Sequence, residues 1–137
     1  MADSIRRLEY FYVQVSDKPG AGVPFLAALR DAGVSLRAFS GFPSGRGAQL
    51  DFVPEDPRAF RDVARRGKWK LVGPKRVFLI EGDDRTGALV EHLDKLAAAR
   101  INVIAVDAAC AGAGRWGALL WVAPKDVVRA GKLLGAA

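Results

Sequence analysis

Two stretches of the chain show the same order of apolar and polar positions. In each, an apolar run rich in β-branched and aromatic residues, 10–15 and 77–80, precedes a turn that contains glycine. Such runs, bounded by turn residues, predict strands. The next stretch places apolar residues three and four positions apart, which predicts a helix with one apolar face. These apolar positions are Val23, Leu26, Leu29 and Ala32 in the first copy and Leu89, Leu93, Leu96 and Ala99 in the second.

Each copy continues with a second strand, a glycine-rich hairpin, a third strand and a second helix. We expect the second strands at 34–40 and 101–107, the third strands at 48–53 and 118–122, and the second helices from Pro57 and from Lys125. In the first copy a short fourth strand at 69–72 precedes a break at Gly73-Pro74, whereas the second copy shows no such strand. The predicted order is therefore βαββαβ followed by βαββα.

The two copies align with each other over most of their length. Asp84, in the second turn, lies 67 positions after Asp17 in the first, and the third strands align at an offset of 70. The sequence therefore predicts an α+β protein of two ferredoxin-like βαββαβ repeats, with antiparallel sheets and helices on one face. We expect the domains at 1–73 and 74–137, the second apparently lacking its last strand.

The composition of the chain disfavours nucleic-acid binding, zinc binding by Cys and His, and a membrane-spanning helix. The chain has 137 residues, and its 21 Lys and Arg are dispersed among 15 Asp and Glu, which favours solvated faces over a phosphate track. One His and one Cys cannot build an internal disulfide or a zinc site of Cys and His ligands. No apolar run is long enough for a membrane helix, and the first residues do not resemble a signal peptide. We therefore expect a cytoplasmic protein without metal or cofactor.

The turns after the first strands carry the candidate binding residues. These are Asp17, Pro19 and Gly20 in the first copy and Asp84, Thr86 and Gly87 in the second. A carboxylate here can cap the coming helix, and glycine allows a close backbone approach. The N–H groups at the helix start can hold an anion such as a ligand carboxylate. A plain strand-to-helix connection explains the same residues and remains the alternative.

Two motifs recur in both copies. They read Val15-Ser16-Asp17-Lys18-Pro19-Gly20 and Asp31-Ala32-Gly33-Val34-Ser35-Leu36 in the first copy, and Asp84-Arg85-Thr86-Gly87 and Arg100-Ile101-Asn102-Val103-Ile104 in the second. With these motifs the chain resembles a tandem pair of ACT domains, small regulatory modules, over nearly its whole length. The resemblance implies a stand-alone, non-catalytic regulatory protein that binds an amino acid or related metabolite at a domain–domain seam.

The resemblance also implies the ligand positions. They are Asp17, Pro19, Gly20 and Ser35 in the first copy and Asp84, Thr86, Gly87 and Asn102 in the second. Ser35 and Thr86 depart from the family's pattern, so we expect the two sites to differ and the second copy to keep the better polar set, Asp84, Thr86 and Asn102. Because ligands of this family sit where domains meet, the resemblance further implies a homodimer.

RNA binding and catalysis agree less well with the residues. RNA-recognition modules share the βαββαβ order, but they need exposed aromatic residues on the third strand, where this chain has Ala48 and Leu50. His92 lies near the apolar stripe of its predicted helix, and Cys110 lies in a run of small residues, which indicates packing or surface roles. We therefore expect no catalytic residues and keep an RNA-binding module as the alternative function.

The residues before the first strand form a partly apolar arm. Residues 5–8 align, at the offset of 67, with residues 72–75, just after the fourth strand of the first copy. Open sheet edges invite pairing with another strand. The arm is therefore predicted to cover the open edge of the second copy, either within the chain or across a dimer.

Overall fold

The computed structural model describes residues 3–137, which form six strands, four α-helices and one 3₁₀ helix. In chain order these are β1 (Ser4–Ser16), α1 (Val23–Asp31), β2 (Leu36–Ser44), β3 (Gly47–Pro54), α2 (Pro57–Arg66), β4 (Val72–Asp83), α3 (Val90–Ala98), β5 (Val103–Gly112), β6 (Arg115–Val122), the 3₁₀ helix (Pro124–Asp126) and α4 (Val127–Leu134). None of these helices is long and apolar enough to cross a membrane.

The strands follow the order β2-β3-β1-β4-β6-β5, and the pairs β1–β3, β2–β3, β4–β6 and β5–β6 are antiparallel. The α+β class and the antiparallel sheet are thus confirmed. The chain divides into an N-terminal unit of residues 9–75 and a C-terminal unit that joins residues 3–8 to residues 76–137. The sequence had placed residues 3–8 with the first domain, whereas the structure groups them with the second.

The core of the N-terminal unit is built on alternate residues of its strands, because successive side chains of a strand point to opposite faces. Phe11 of β1 and Phe52 of β3 pack in one cluster with Leu29 of α1 and Phe60 of α2. Phe52 is fully buried, and its ring lies 5.3 Å from that of Phe60 between centroids. This unit therefore has an apolar core of its own, built from both helices and the sheet.

The ends of the helices follow from local sequence. α1 carries Pro24 in its first turn, where a missing N–H costs no helical hydrogen bond, and Gly33 follows its end with a φ of +70°. α2 begins at Asp56, whose carboxylate accepts hydrogen bonds from the backbone N–H groups of Arg58 and Ala59. A proline in the first turn and a glycine after the last turn thus mark the two ends of α1.

The C-terminal unit incorporates the N-terminal arm, residues 3–8, as a strand. The backbone N–H of Arg7 donates to the carbonyl of Ala137, and the N–H of Ala137 donates to the carbonyl of Ile5, both at 3.0 Å. Ile5 is 7% exposed and belongs to the same core cluster as Phe78 and Leu120. β1 lies beside β4 in the strand order, and Arg6 of the arm binds Glu81 of β4, so the arm covers the open sheet edge of the second copy within the chain, as predicted.

The sheet register corrects the alignment of the third strands. Phe11 pairs with Phe52 in the N-terminal unit, and Phe78 pairs with Leu120 in the C-terminal unit. Since Phe78 lies 67 positions after Phe11, Leu120 corresponds to Phe52, which is an offset of 68 rather than 70. A register shift near the end of β5 takes up the one additional residue.

Several strand boundaries also differ from the expected ones. β1 begins at Ser4 because the arm pairs with the C-terminal unit, and β4 is one strand where a break at Gly73-Pro74 was expected. Gly73 has a φ of +134°, and a Cβ there would lie 2.9 Å from the carbonyl oxygen of Tyr10, so glycine lets the strands approach closely enough to continue. Trp69 packs on the N-terminal core instead of forming a fourth strand.

Candidate functional site

The first turn, residues 17–22, connects β1 to α1 and borders an open groove. Gly20 has a φ of +80°, which the connection requires and which L residues rarely adopt. The groove has a volume of about 1060 Å³ and is lined by Gln14, Val15, Ser16, Lys18, Pro19, Gly20, Ala21, Pro24, Ser44, Gly45, Arg46 and Gly47. We call it the first-turn groove. Two of the three residues predicted for this turn, Pro19 and Gly20, line it.

The electrostatics of the first-turn groove favour an anion. Its lining carries two cationic side chains, Lys18 and Arg46, and among these described residues no carboxylate. α1 begins beside it at Gly22, which has no side chain to cap the helix. The partial positive charge of a helix N-terminus adds to the two cations. Asp17, expected to cap α1, is exposed and lies outside the residues that line the groove.

The second turn, residues 84–89, also has a glycine with positive φ, but its surroundings differ from those of the first turn. Gly87 has a φ of +70°, and the N–H of Asp84 donates to the carbonyl of Gly114 at 2.8 Å. The Asp84 carboxylate is hydrogen-bonded to the Cys110 thiol and raises the pKa of that thiol. Thr86 is exposed. Asp84 does not cap α3, because the helix begins at Leu89 without a side-chain cap among the described residues.

Ser35 lies far from the first turn within its own unit. Ser16, at the end of β1, pairs with Gly47, whereas Leu36 pairs with Pro54 at the other end of β3. Seven residues of antiparallel strand span about 24 Å. Ser35 is exposed in the connection before β2, and not early in the strand as expected. The N-terminal unit alone therefore does not bring it to the first turn.

Asn102 is placed in the same way in the C-terminal unit. Asp83, next to the second turn, pairs with Arg115, whereas Val103 pairs with Val122 at the other end of β6. Asn102 is exposed in the connection before β5. The second turn and Asn102 therefore lie at opposite ends of this unit's sheet.

The sequence pattern did not indicate a partly buried polar cluster beside the second turn, in which the side chains of Asp3 and His92 are buried and that of Arg85 is 40% exposed. The carboxylate of Asp3 accepts hydrogen bonds from both terminal nitrogens of Arg85 at 3.0 Å and lies 2.7 Å from Nε2 of His92. The indole N–H of Trp116 donates to the same carboxylate at 3.3 Å. The Asp3 side chain is 1% exposed and that of His92 4%. Of the packing or surface role expected for His92, the structure shows the packed one, together with a polar partner that the sequence pattern did not indicate.

This cluster fixes the charge of Asp3. The Arg85 guanidinium, with the hydrogen bonds from His92 and Trp116, holds the pKa of the Asp3 carboxyl well below its usual range, against the opposing effect of burial. One ligand atom each from Asp3, Glu91 and His92 lie within 4.8 Å of one another, which is close enough to hold a metal ion. Arg85 already binds Asp3 and Glu91, at 3.0 and 2.8 Å, so a guanidinium supplies the positive charge at this place.

Of the two positions where an RNA-recognition module would carry exposed aromatic residues, Leu50 is buried in the core of the N-terminal unit, and Ala48 lies on the same face of β3. Asp51 is 3% and Val53 1% exposed, and both lie on the face of β3 opposite to Phe52. The Gln49 side chain donates to the Asp51 carboxylate at 2.8 Å, and burial raises the pKa of Asp51. Burial, with Asp51 nearby, raises the pKa of Tyr10 to about 12. Bases therefore have no exposed platform at these positions.

Comparison with known proteins shows the fold. No protein-family model matches the chain, and no curated protein matches it significantly. Among solved structures, protein BT0572 from Bacteroides thetaiotaomicron is 15% identical, with a TM-score of 0.77 over 93% of this chain and 88% of that one. The regulatory subunit of aspartate kinase from Thermus thermophilus is 12% identical, with a TM-score of 0.61 over 98% and 95%. A structure of aspartokinase alpha and beta subunits is 16% identical, with a TM-score of 0.64 over 98% and 95%. The expected ACT-like fold is thereby confirmed.

Proposed function

We propose that the chain is a non-catalytic regulatory protein of two ACT-like repeats, which binds a small carboxylate-bearing metabolite of the amino-acid class in the first-turn groove. The likeness of its fold to structures described as regulatory subunits of aspartate kinase supports the regulatory role. Ligand binding changes the balance between conformations only through its differential affinity for them.

Equivalent irregularities support the assignment of two repeats. The pairing of β2 with β3 shifts register between Leu36 and Ala38, and that of β5 with β6 shifts between Val103 and Ala105, 67 positions later. The positive φ of the two turn glycines recurs at the same offset. Because such shifts have no reason to coincide in unrelated units, they favour duplication of one module.

The observation that carries the ligand assignment is that both turns have a cationic residue at the equivalent position. Lys18 in the first turn aligns with Arg85 in the second, 67 positions later. Arg85 binds a carboxylate with both terminal nitrogens, while Lys18 lines an open groove together with Arg46. A carboxylate bound in the groove would gain charge-assisted hydrogen bonds from these two side chains and the favourable dipole of α1.

Other parts of the hypothesis stay predictions. They include ligand roles for six residues, Asp17, Ser35, Asp84, Thr86, Gly87 and Asn102. The homodimer follows from the family resemblance, and the cytoplasmic location follows from the composition of the chain. Light scattering at micromolar concentration tests the dimer, and a monomeric mass would contradict it.

A thermal-shift screen of the amino acids and a few nucleotides, followed by calorimetry on any hit, tests the binding step. A specific ligand raises the melting temperature as ln(1 + [L]/Kd). Loss of one charge-assisted hydrogen bond costs about 1.5–3 kcal/mol, so Lys18→Ala and Arg46→Ala should each weaken binding by roughly 10-fold or more. Arg30→Ala is the matched control, because Arg30 is exposed on α1, outside the groove, and paired with Asp31.

Two results would contradict the proposal. One is a screen in which no carboxylate-bearing metabolite shifts the melting temperature. The other is a ligand that binds Lys18→Ala and Arg46→Ala with wild-type affinity. Filter binding with labelled RNA separates the alternative function, since phosphate contacts give an affinity that falls steeply with salt.

A further inference from the structure

We propose that Arg85, His92 and Trp116 form a carboxylate-binding site in the C-terminal unit, which the chain fills with its own Asp3. The N-terminal arm, residues 3–8, is then a tethered occupant that keeps free carboxylates out of the second turn. This inference does not depend on whether the first-turn groove binds a ligand.

The hydrogen-bond donors match the two oxygens of one carboxylate. Oδ1 of Asp3 accepts from Nη1 of Arg85 at 3.0 Å and from Nε1 of Trp116 at 3.3 Å. Oδ2 accepts from Nη2 of Arg85 at 3.0 Å and lies 2.7 Å from Nε2 of His92. A two-pronged guanidinium with two further N–H donors satisfies a carboxylate that is nearly removed from water.

The donors are held by contacts that do not involve Asp3. Arg85 also donates to the carboxylate of Glu91 at 2.8 Å and to the carbonyl of Asp83 at 3.2 Å. His92 is buried and stacks on Trp116 with an interplanar angle of 25°. The site is therefore organised before a carboxylate enters, and we expect it to persist when Asp3 is removed.

The backbone around the site is shaped for this occupant. A Cβ at Gly82 would lie 1.8 Å from Oδ1 of Asp3 and 3.1 Å from Nε1 of Trp116. Any larger residue at position 82 would displace the carboxylate or the indole. Glycine at this point of β4 leaves the space that the Asp3 carboxylate fills.

The tether explains why a free carboxylate does not displace Asp3. The arm is fixed by its backbone hydrogen bonds to Ala137 and by the ion pair of Arg6 with Glu81 at 2.6 Å. An attached group has a high effective concentration at its site, so a dissolved competitor at ordinary concentration cannot replace it. Removal of the Asp3 carboxylate alone should convert the site into one that accepts small free carboxylates.

The test is chemical rescue of the full-length Asp3→Ala variant by acetate. At constant ionic strength, acetate should raise its melting temperature saturably by about 3–6 °C relative to chloride, whereas wild type should not respond. Glu81→Ala is the matched control, since it removes another arm contact but leaves the site filled. The double variant Asp3→Ala/Arg85→Ala should lose the acetate response.

The proposal is overturned by a folded Asp3→Ala variant that acetate and chloride affect equally. It is also overturned if wild type or Glu81→Ala gains as much from acetate as Asp3→Ala does. If Asp3→Ala does not fold in buffer alone, refolding in acetate but not in chloride supports the site, and failure to refold in either salt overturns the proposal.

Discussion

The burial of Ile5 predicts that the arm is a structural strand of the C-terminal unit. Ile5 is 7% exposed within the core cluster that includes Phe78, Ile80 and Leu120. Ile5→Ala removes three carbons, which at about 0.8 kcal/mol per buried methylene is about 2.4 kcal/mol. The residual cavity raises the expected loss of unfolding free energy to about 3–4 kcal/mol.

Urea denaturation followed by far-ultraviolet circular dichroism and tryptophan fluorescence measures this loss. Ile104→Ala on β5 is the control, because Ile104 is 59% exposed and its truncation should cost less than about 1 kcal/mol. A midpoint shift without a change in the denaturant slope identifies a loss of stability rather than a change in the unfolded state. If Ile5→Ala and Ile104→Ala destabilise equally, the arm is not part of the core.

Three further predictions concern single positions. Gly20→Ala should lower the unfolding free energy by about 1–2 kcal/mol, and Gly20→Asn by less, because the φ of +80° and not crowding requires glycine; equal losses in urea denaturation would contradict this. Because the pKa of Asp3 is lower in the folded than in the unfolded state, its ionised carboxylate stabilises the fold fully above the unfolded-state pKa of about 3.9, and this stabilisation is lost as the pH falls below that value. Asp3→Asn should therefore flatten the acid limb of a stability–pH profile. Because the pKa of Asp51 is higher in the folded than in the unfolded state, ionised Asp51 destabilises the fold increasingly as the pH rises above about 3.9. Asp51→Asn should therefore be more stable than wild type at pH 7. A less stable variant would refute the argument.

Local sequence was sufficient to predict the order of helices and strands, except that one strand, β4, stands where strands at 69–72 and 77–80 were expected. The apolar spacing around Leu29 and Leu96 marks the buried faces of α1 and α3, and both side chains are buried. Gly20 and Gly87 were expected in the turns, and both have positive φ. These features depend on neighbouring residues, which is why a single sequence reveals them.

Long-range contacts could not be predicted in the same way. Asp3 meets Arg85, His92 and Trp116 across 82, 89 and 113 residues, and no local pattern marks a lone acid as the occupant of a site. One signal was available: the alignment of residues 5–8 with 72–75 placed the arm at the edge of the second copy. The sequence likewise could not show that Asn102 lies at the end of the sheet opposite to the second turn, because only the sheet register shows at which end of a unit a connection lies.

Lys18 and Arg85 are equivalent cations of the two turns, but of the two only Arg85 binds the carboxylate that the arm supplies, that of Asp3. This difference sets the number of ligand molecules expected per chain. Position 70, which corresponds to Asp3 at the offset of 67, is an exposed lysine, so this position offers no carboxylate to Lys18. If the first turn is free and Asp3 fills the second, calorimetry should give one metabolite per chain, although the sequence contains two turns. Asp3→Ala should open a second site that Arg85→Ala closes again. Two equivalent sites in wild type would mean that the arm does not reserve the second turn.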